Sequence, residues 1–136
     1  MNKIQEIRAQ AKKLKLFGHE LLDRFSDQEL EWICNGIGPG YFPEKLRRKI
    51  SSALPHLKLP AALHDVGYHV GGSYADFLRV NSELAANARI CAVAEFPWWD
   101  PRRYLVIRAG SVAADLCNQF GFLAWALKQG NENDAI

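Results

Sequence analysis

His64 and Asp65 stand side by side in the segment His64-Asp65-Val66-Gly67-Tyr68. An imidazole in such a place can take a proton from water, and a neighbouring carboxylate can hold a hard cation. On a helix, residues four apart share a face, so Tyr68 projects with His64 while Asp65 points about a quarter-turn away. Adjacent histidine and aspartate can therefore serve two adjoining sites at once. Upstream lies Gly36-Ile37-Gly38-Pro39-Gly40. Glycine admits positive φ, so alternate carbonyls of this segment can turn toward one ion. Calcium takes about 6–8 oxygen ligands and accepts backbone carbonyls among them. Gly36, Gly38 and Gly40 together with Asp65 are the candidate calcium ligands. Downstream, Gly71-Gly72-Ser73-Tyr74-Ala75-Asp76 brings a second carboxylate beyond a glycine turn. If the turn folds its flanks antiparallel, Asp76 is expected to reach the far nitrogen of His64, fix its tautomer and stabilise the imidazolium.

Those groups need elements to hold them. Ile4, Ile7, Ala11 and Leu14 recur at helical spacing near the N-terminus, and Gly18 interrupts or caps that helix. Ser26 caps a short helix from Asp27 to Ile33. Pro43 opens a helix over residues 44–53, with Leu46 and Ile50 on one face. Pro55 and Pro60 are expected to punctuate the connection that follows. Ala61–Val70 reads as a buried helix stopped by Gly71-Gly72, and Ser73 caps another over residues 74–92. In that one, Phe77, Val80, Leu84 and Ala88 form the apolar stripe. Phe96–Pro101 is an aromatic break, and residues 103–126 are helical, divided near Gly110 or Gly121. Residues 129–136 form a polar tail. No strand pair or internal repeat emerges, so the expected class is mainly α in one domain over residues 1–136.

Composition sets further bounds. With 49% hydrophobic and 24% charged residues, the chain has the balance of a globular domain. A formal net charge of +2 demands no nucleic-acid partner, and none is expected. Lys12-Lys13-Leu14-Lys15 and Lys45-Leu46-Arg47-Arg48-Lys49 read as solvated helix faces, with attraction to anionic lipid or nucleic acid as the other reading. Three cysteines make neither an even disulfide set nor a CxxC motif, which suits buried thiols in a reducing compartment. Neither a signal peptide nor an apolar run of membrane-spanning length is evident, so the mature protein is expected to start at Met1 in the cytoplasm or in a virion.

The order of glycine loop, His-Asp-x-x-Tyr, turn and helix-borne aspartate resembles the phospholipase A2 superfamily. The likeness is to the branch with a Gly-Pro-Gly calcium loop, found in viral-capsid lipase domains and in related phage and bacterial proteins. It covers residues 35–84. It implies a phospholipase A2-like helical core with two antiparallel active-site helices and no disulfides. It also implies calcium-dependent hydrolysis of the sn-2 ester of glycerophospholipids at a membrane surface. By resemblance, His64 activates water, the loop carbonyls and Asp65 hold calcium, and Asp76 and Tyr68 support the histidine. Where the secreted enzymes carry cysteines, this chain has Ala62, Leu63, Val66 and Gly67.

Other readings exist for the same residues. A non-catalytic phage- or toxin-associated structural or interaction module could keep this framework without turnover. A metal-dependent phosphohydrolase of the HD type would need His56 or His69, which the local helix points away from His64. Trp98-Trp99, with Arg102-Arg103 behind, reads either as core closing two helices or as an interfacial anchor. Phe120, Phe122 and Trp125 read as core.

Overall fold

Among the described residues, four of the five α-helices announce their starts in side-chain caps. Asn2 and Gln5 form a capping box ahead of α1 (Lys3–Lys13), and Ser26 and Glu29 form another ahead of α2 (Asp27–Ile33). Ser73 and Asp76 form a third ahead of α4 (Tyr74–Glu95), and Asp100 caps α5 (Pro101–Phe120), which has proline in its first turn. In each box a side-chain oxygen satisfies a backbone N–H that has no partner inside the helix. α3 (Glu44–Val70) completes the set, and a six-residue 3₁₀ helix, His19–Arg24, lies between α1 and α2. The computed structural model describes residues 2–34, 44–123, 125 and 126, with the side chains of residues 44–54 left aside. The glycine segment Gly36–Gly40, with Pro43, and the tail 129–136 lie outside the described residues, as do the side chains of the Lys45–Lys49 cluster.

All elements among the described residues are helical, in agreement with the mainly α class. Within them, no helix is long and apolar enough to cross a membrane. Gly18 lies at φ 87° as the cap of the 3₁₀ helix, so it does punctuate the N-terminal region.

Two sequence expectations change. Pro55 and Pro60 do not break the chain, because both sit inside α3, a single helix of 27 residues. Each proline removes one backbone hydrogen bond and crowds the preceding turn. Burial along the same helix outweighs that cost: Leu57, Leu63 and Val66 are buried, each contributing about 1.5–3 kcal/mol. Trp98 and Trp99 do not close the core, being 73% and 66% exposed, and Phe120 and Phe122 are also exposed. Trp125 is buried, as expected.

The core begins with α1. Ile4, Ala11, Leu16, Leu22 and Leu30 from the N-terminal elements pack with Leu63, Val66 and Cys91 from α3 and α4. Arg8 locks these elements together, donating to the Leu22 carbonyl at 2.7 Å, the Phe25 carbonyl at 2.6 Å and Asp27 at 2.8 Å. A second latch comes from Asn87, fully buried on α4. Its Oδ1 accepts from the Phe17 N–H at 2.8 Å and its Nδ2 donates to the Phe17 carbonyl at 3.0 Å. α4 and α5 pack as an antiparallel hairpin through Ala88, Ala92, Val106 and neighbours.

The approach of α3 to α4 fixes the site. A Cβ built on Gly67 would fall 2.7 Å from Val80 Cγ1, so only glycine lets the helices close to this distance. Gly71 at φ 74° and Gly72 at φ 135° make the reversal between them, in backbone conformations that favour glycine.

Candidate active site

α3 presents His64 and Tyr68 one turn apart, their ring centroids separated by 4.5 Å. α4 answers with Asn81, which is completely buried. His64 Nε2 lies 2.8 Å from Asn81 Oδ1, and the Tyr68 hydroxyl donates to the same oxygen at 3.2 Å. Asn81 Nδ2 donates in turn to Asn118 Oδ1 on α5 at 2.9 Å. Three helices thus meet in one polar chain, which runs from the buried His64 and Asn81 to the exposed Asn118. An amide oxygen only accepts, so His64 Nε2 carries the proton and Nδ1 carries the lone pair. Tyr68 is braced edge-on by Trp125, at 5.0 Å between centroids, and Trp125 Nε1 donates to the Gly72 carbonyl at 3.2 Å.

Burial pushes the His64 imidazole down to about 4, and its hydrogen bond to Asn81 opposes that shift only in part. The charged form is disfavoured because it would lose its water in a dry interior. The ring is consequently neutral at physiological pH, with a basic nitrogen available but weakly basic.

Asp76 does not take the position expected of it. Its Oδ2 accepts from Ser73 N–H at 2.8 Å and from Ser73 Oγ at 3.0 Å, and its Oδ1 accepts from Arg79 at 3.4 Å. The Ser73 hydrogen bonds, with Arg79 adding to them, hold its carboxyl below the usual carboxylate range. It is the N3 member of a capping box, spent on starting α4. The group on His64 Nε2 is Asn81, five residues further along the same helix. Five residues are more than one turn, which carries the side chain down α4 to the level of His64.

Asp65 is half-buried on α3. Its charge raises the thiols of Cys34 and Cys117, for which burial is the larger cause and which stand at about 11 and about 12. Cys34 Sγ donates to the Ala62 carbonyl at 3.7 Å, so Cys34 lies beside α3, near the turn that carries His64 and Asp65. A half-buried carboxylate is a hard oxygen donor and fits calcium as one ligand. The other expected ligands, Gly36, Gly38 and Gly40, lie outside the described residues. Among the described residues, no group of three or more His, Cys, Asp or Glu side chains could hold a metal by itself.

His56 and His69, the histidines a phosphohydrolase site would need, serve elsewhere. His56 stands 3.4 Å from Glu95 and edge-on to Phe96, while His69 packs against Phe25 and Trp32. Neither converges on His64. No family model, curated protein or solved structure matches this chain.

Asn81 and Asn118 are the site residues that sequence reasoning missed. A signal existed for the first. Asn81 interrupts the apolar stripe of Phe77, Val80, Leu84 and Ala88, and a polar residue on a core-facing stripe needs a buried partner. Asn118 carries no comparable mark.

Proposed function

We propose that this chain is a calcium-dependent hydrolase of the sn-2 ester of glycerophospholipids, working peripherally at a membrane surface reached from the cytoplasm or from a virion. The observation that carries the reading is the His64–Asn81 contact: Nε2 is tied, so the lone pair sits on Nδ1. Calcium held by Asp65 and the Gly36, Gly38 and Gly40 carbonyls would bind the substrate phosphate and stabilise the oxyanion. The chain's own groups supply the rest. His64 Nδ1 takes the proton from the attacking water and later returns it to the leaving alkoxide. Asn81 holds the ring's tautomer and angle, and Tyr68 holds the Asn81 oxygen from the other side. The polar chain of α3, α4 and α5 keeps the base from rotating away.

The test is fatty-acid release from mixed phospholipid vesicles, with calcium and with a chelator. Wild type releases fatty acid with calcium only, and His64→Gln loses about 10²–10⁴ of that rate. Absence of release from wild type under every lipid and calcium condition removes the reading.

One observation favours a second reading. Asn81 is a neutral amide, and a neutral partner compensates an imidazolium less than a carboxylate does. On that basis the framework would act as a non-catalytic structural or interaction module, associated with a phage or a toxin. In that case the polar chain serves only to lock three helices in register. His64→Gln would then alter stability while no lipid is hydrolysed by any form.

A further inference from the structure

Among the described residues, α5 buries one face and leaves the other without a partner. Val106, Gly110, Ala113, Ala114 and Cys117 turn inward. On the opposite side, Leu105, Arg108, Val112, Asp115 and Gln119 follow one another in steps of three, four, three and four, and all are exposed. That spacing is the period along which two helices pair, here with polar residues at three of the five positions. Leu105 is 65% exposed, an unusual place for leucine on a helix that has a core to join.

Both ends of this seam are apolar. Before it stands the Trp98-Trp99 turn, with both indoles outward. The turn is held from beneath. Tyr104 donates to the Trp98 carbonyl at 2.5 Å, and Asp100 accepts from the backbone and guanidinium of Arg102, whose charge lies 4.8 Å from the Phe96 ring centre. The indoles are therefore presented by a braced turn. After the seam comes Leu123, 69% exposed, while Phe122 turns to Tyr74 and Phe77 of α4. Between the ends, Arg108 and Asp115 lie seven residues apart on the same face, about 10 Å along the axis. Among the described residues, neither makes an ion pair.

This row is complementary to itself when reversed. A two-fold axis through Val112 sets Val112 against Val112 and Arg108 of one copy against Asp115 of the other. The same operation brings the Leu105 side chain to the aliphatic stem of Gln119, and the Trp98-Trp99 turn toward Leu123. Every contact then occurs twice, as a two-fold interface requires. We propose that the outer face of α5 is a self-association surface, on which two copies of this chain pair antiparallel with reciprocal Arg108–Asp115 contacts. The pairing concerns the side of α5 away from α4 and stands apart from any hydrolytic role of His64.

The experiment is sedimentation equilibrium of the full chain, with far-ultraviolet circular dichroism to confirm helix content. Wild type sediments as a dimer. Arg108→Asp and Asp115→Arg each place like charges together at two points, so a loss of about tenfold per contact becomes roughly a hundredfold in dimer affinity. The double variant R108D/D115R restores the opposite pairing and returns affinity close to wild type. Val112→Glu, with a carboxylate on the axis, gives a folded monomer. A wild type that stays monomeric up to near-millimolar concentration overturns the proposal. So does a double variant as weak as the single ones, because the two charges then do not meet.

Discussion

His64 Nε2 and Asn81 Oδ1 lie 2.8 Å apart, joining α3 to α4 beside the Gly67–Val80 contact of the two helices. That contact is buried, and it decides which imidazole nitrogen bears the proton. It uses a neutral amide where a carboxylate would also fit, and the consequence can be measured.

Asn81→Asp exchanges a neutral hydrogen bond for a charge-assisted one, worth about 1 kcal/mol more to the protonated ring. The His64 titration should move upward by about one pH unit. If His64 is the base, fatty-acid release should rise as well. Proton NMR of the His64 ring through a pH series reads the first effect, and an unchanged midpoint would contradict the role given to Asn81.

The depressed His64 value also makes stability depend on pH. The unfolded chain binds a proton at this ring near 6.5, whereas the folded chain does so only near 4. The favourable contribution is therefore complete above about pH 6.5 and is lost as pH falls toward 4, by about 3 kcal/mol in all. Urea unfolding of wild type and His64→Gln at several pH values checks this. The wild-type free energy should slope downward through that window, and the variant should lose most of the slope.

Gly67→Ala tests the helix contact that makes the site possible. The new methyl would meet Val80 Cγ1 at 2.7 Å, so α3 and α4 must separate or Val80 must move. Overpacking of this sort costs about 1–3 kcal/mol. Thermal unfolding should show the loss, and Gly67→Ala combined with Val80→Ala should recover part of it.

Asp76→Ala separates helix capping from support of His64. The change removes the carboxylate that accepts from the Ser73 N–H, so thermal stability should fall modestly. The His64 titration should not move, because Asp76 bonds to Ser73 and Arg79. A shift in the His64 midpoint comparable to that of Asn81→Asp would restore Asp76 to the imidazole.

Helix starts were legible because caps are local: Ser26, Ser73 and the Asp27–Ile33 helix follow from residues three or four apart. The His64–Tyr68 pairing was legible for the same reason. Asp76 misled because the chemistry of a capping box and that of a histidine partner both call for a carboxylate near a helix start. Choosing between them needs the depth at which α3 crosses α4, which Gly67 and Val80 determine across a turn. The prolines of α3 misled in the opposite direction, since their local cost is visible in sequence and the burial of Leu57, Leu63 and Val66 that outweighs it is not. Trp98 and Trp99 are large enough to suggest core, but the turn that holds them outward depends on Asp100, Arg102 and Tyr104 acting together.

Asn87 makes the N-terminal segment through Phe17 an obligate part of the whole. By bonding both the N–H and the carbonyl of Phe17, one side chain imitates a rung of a β-ladder between segments 70 residues apart in sequence. A rung of such long reach closes only after the helices on either side have met, so it belongs among the late events of folding. It also forbids a simple truncation. Without α1 and the segment through Phe17, Asn87 would keep an amide donor and an acceptor facing the vacated interior, each costing about 1–3 kcal/mol where water does not reach. The helical hairpin that carries Asn81 is thus not a free-standing unit, and a fragment starting after Phe17 should be recovered as an expanded, aggregation-prone species.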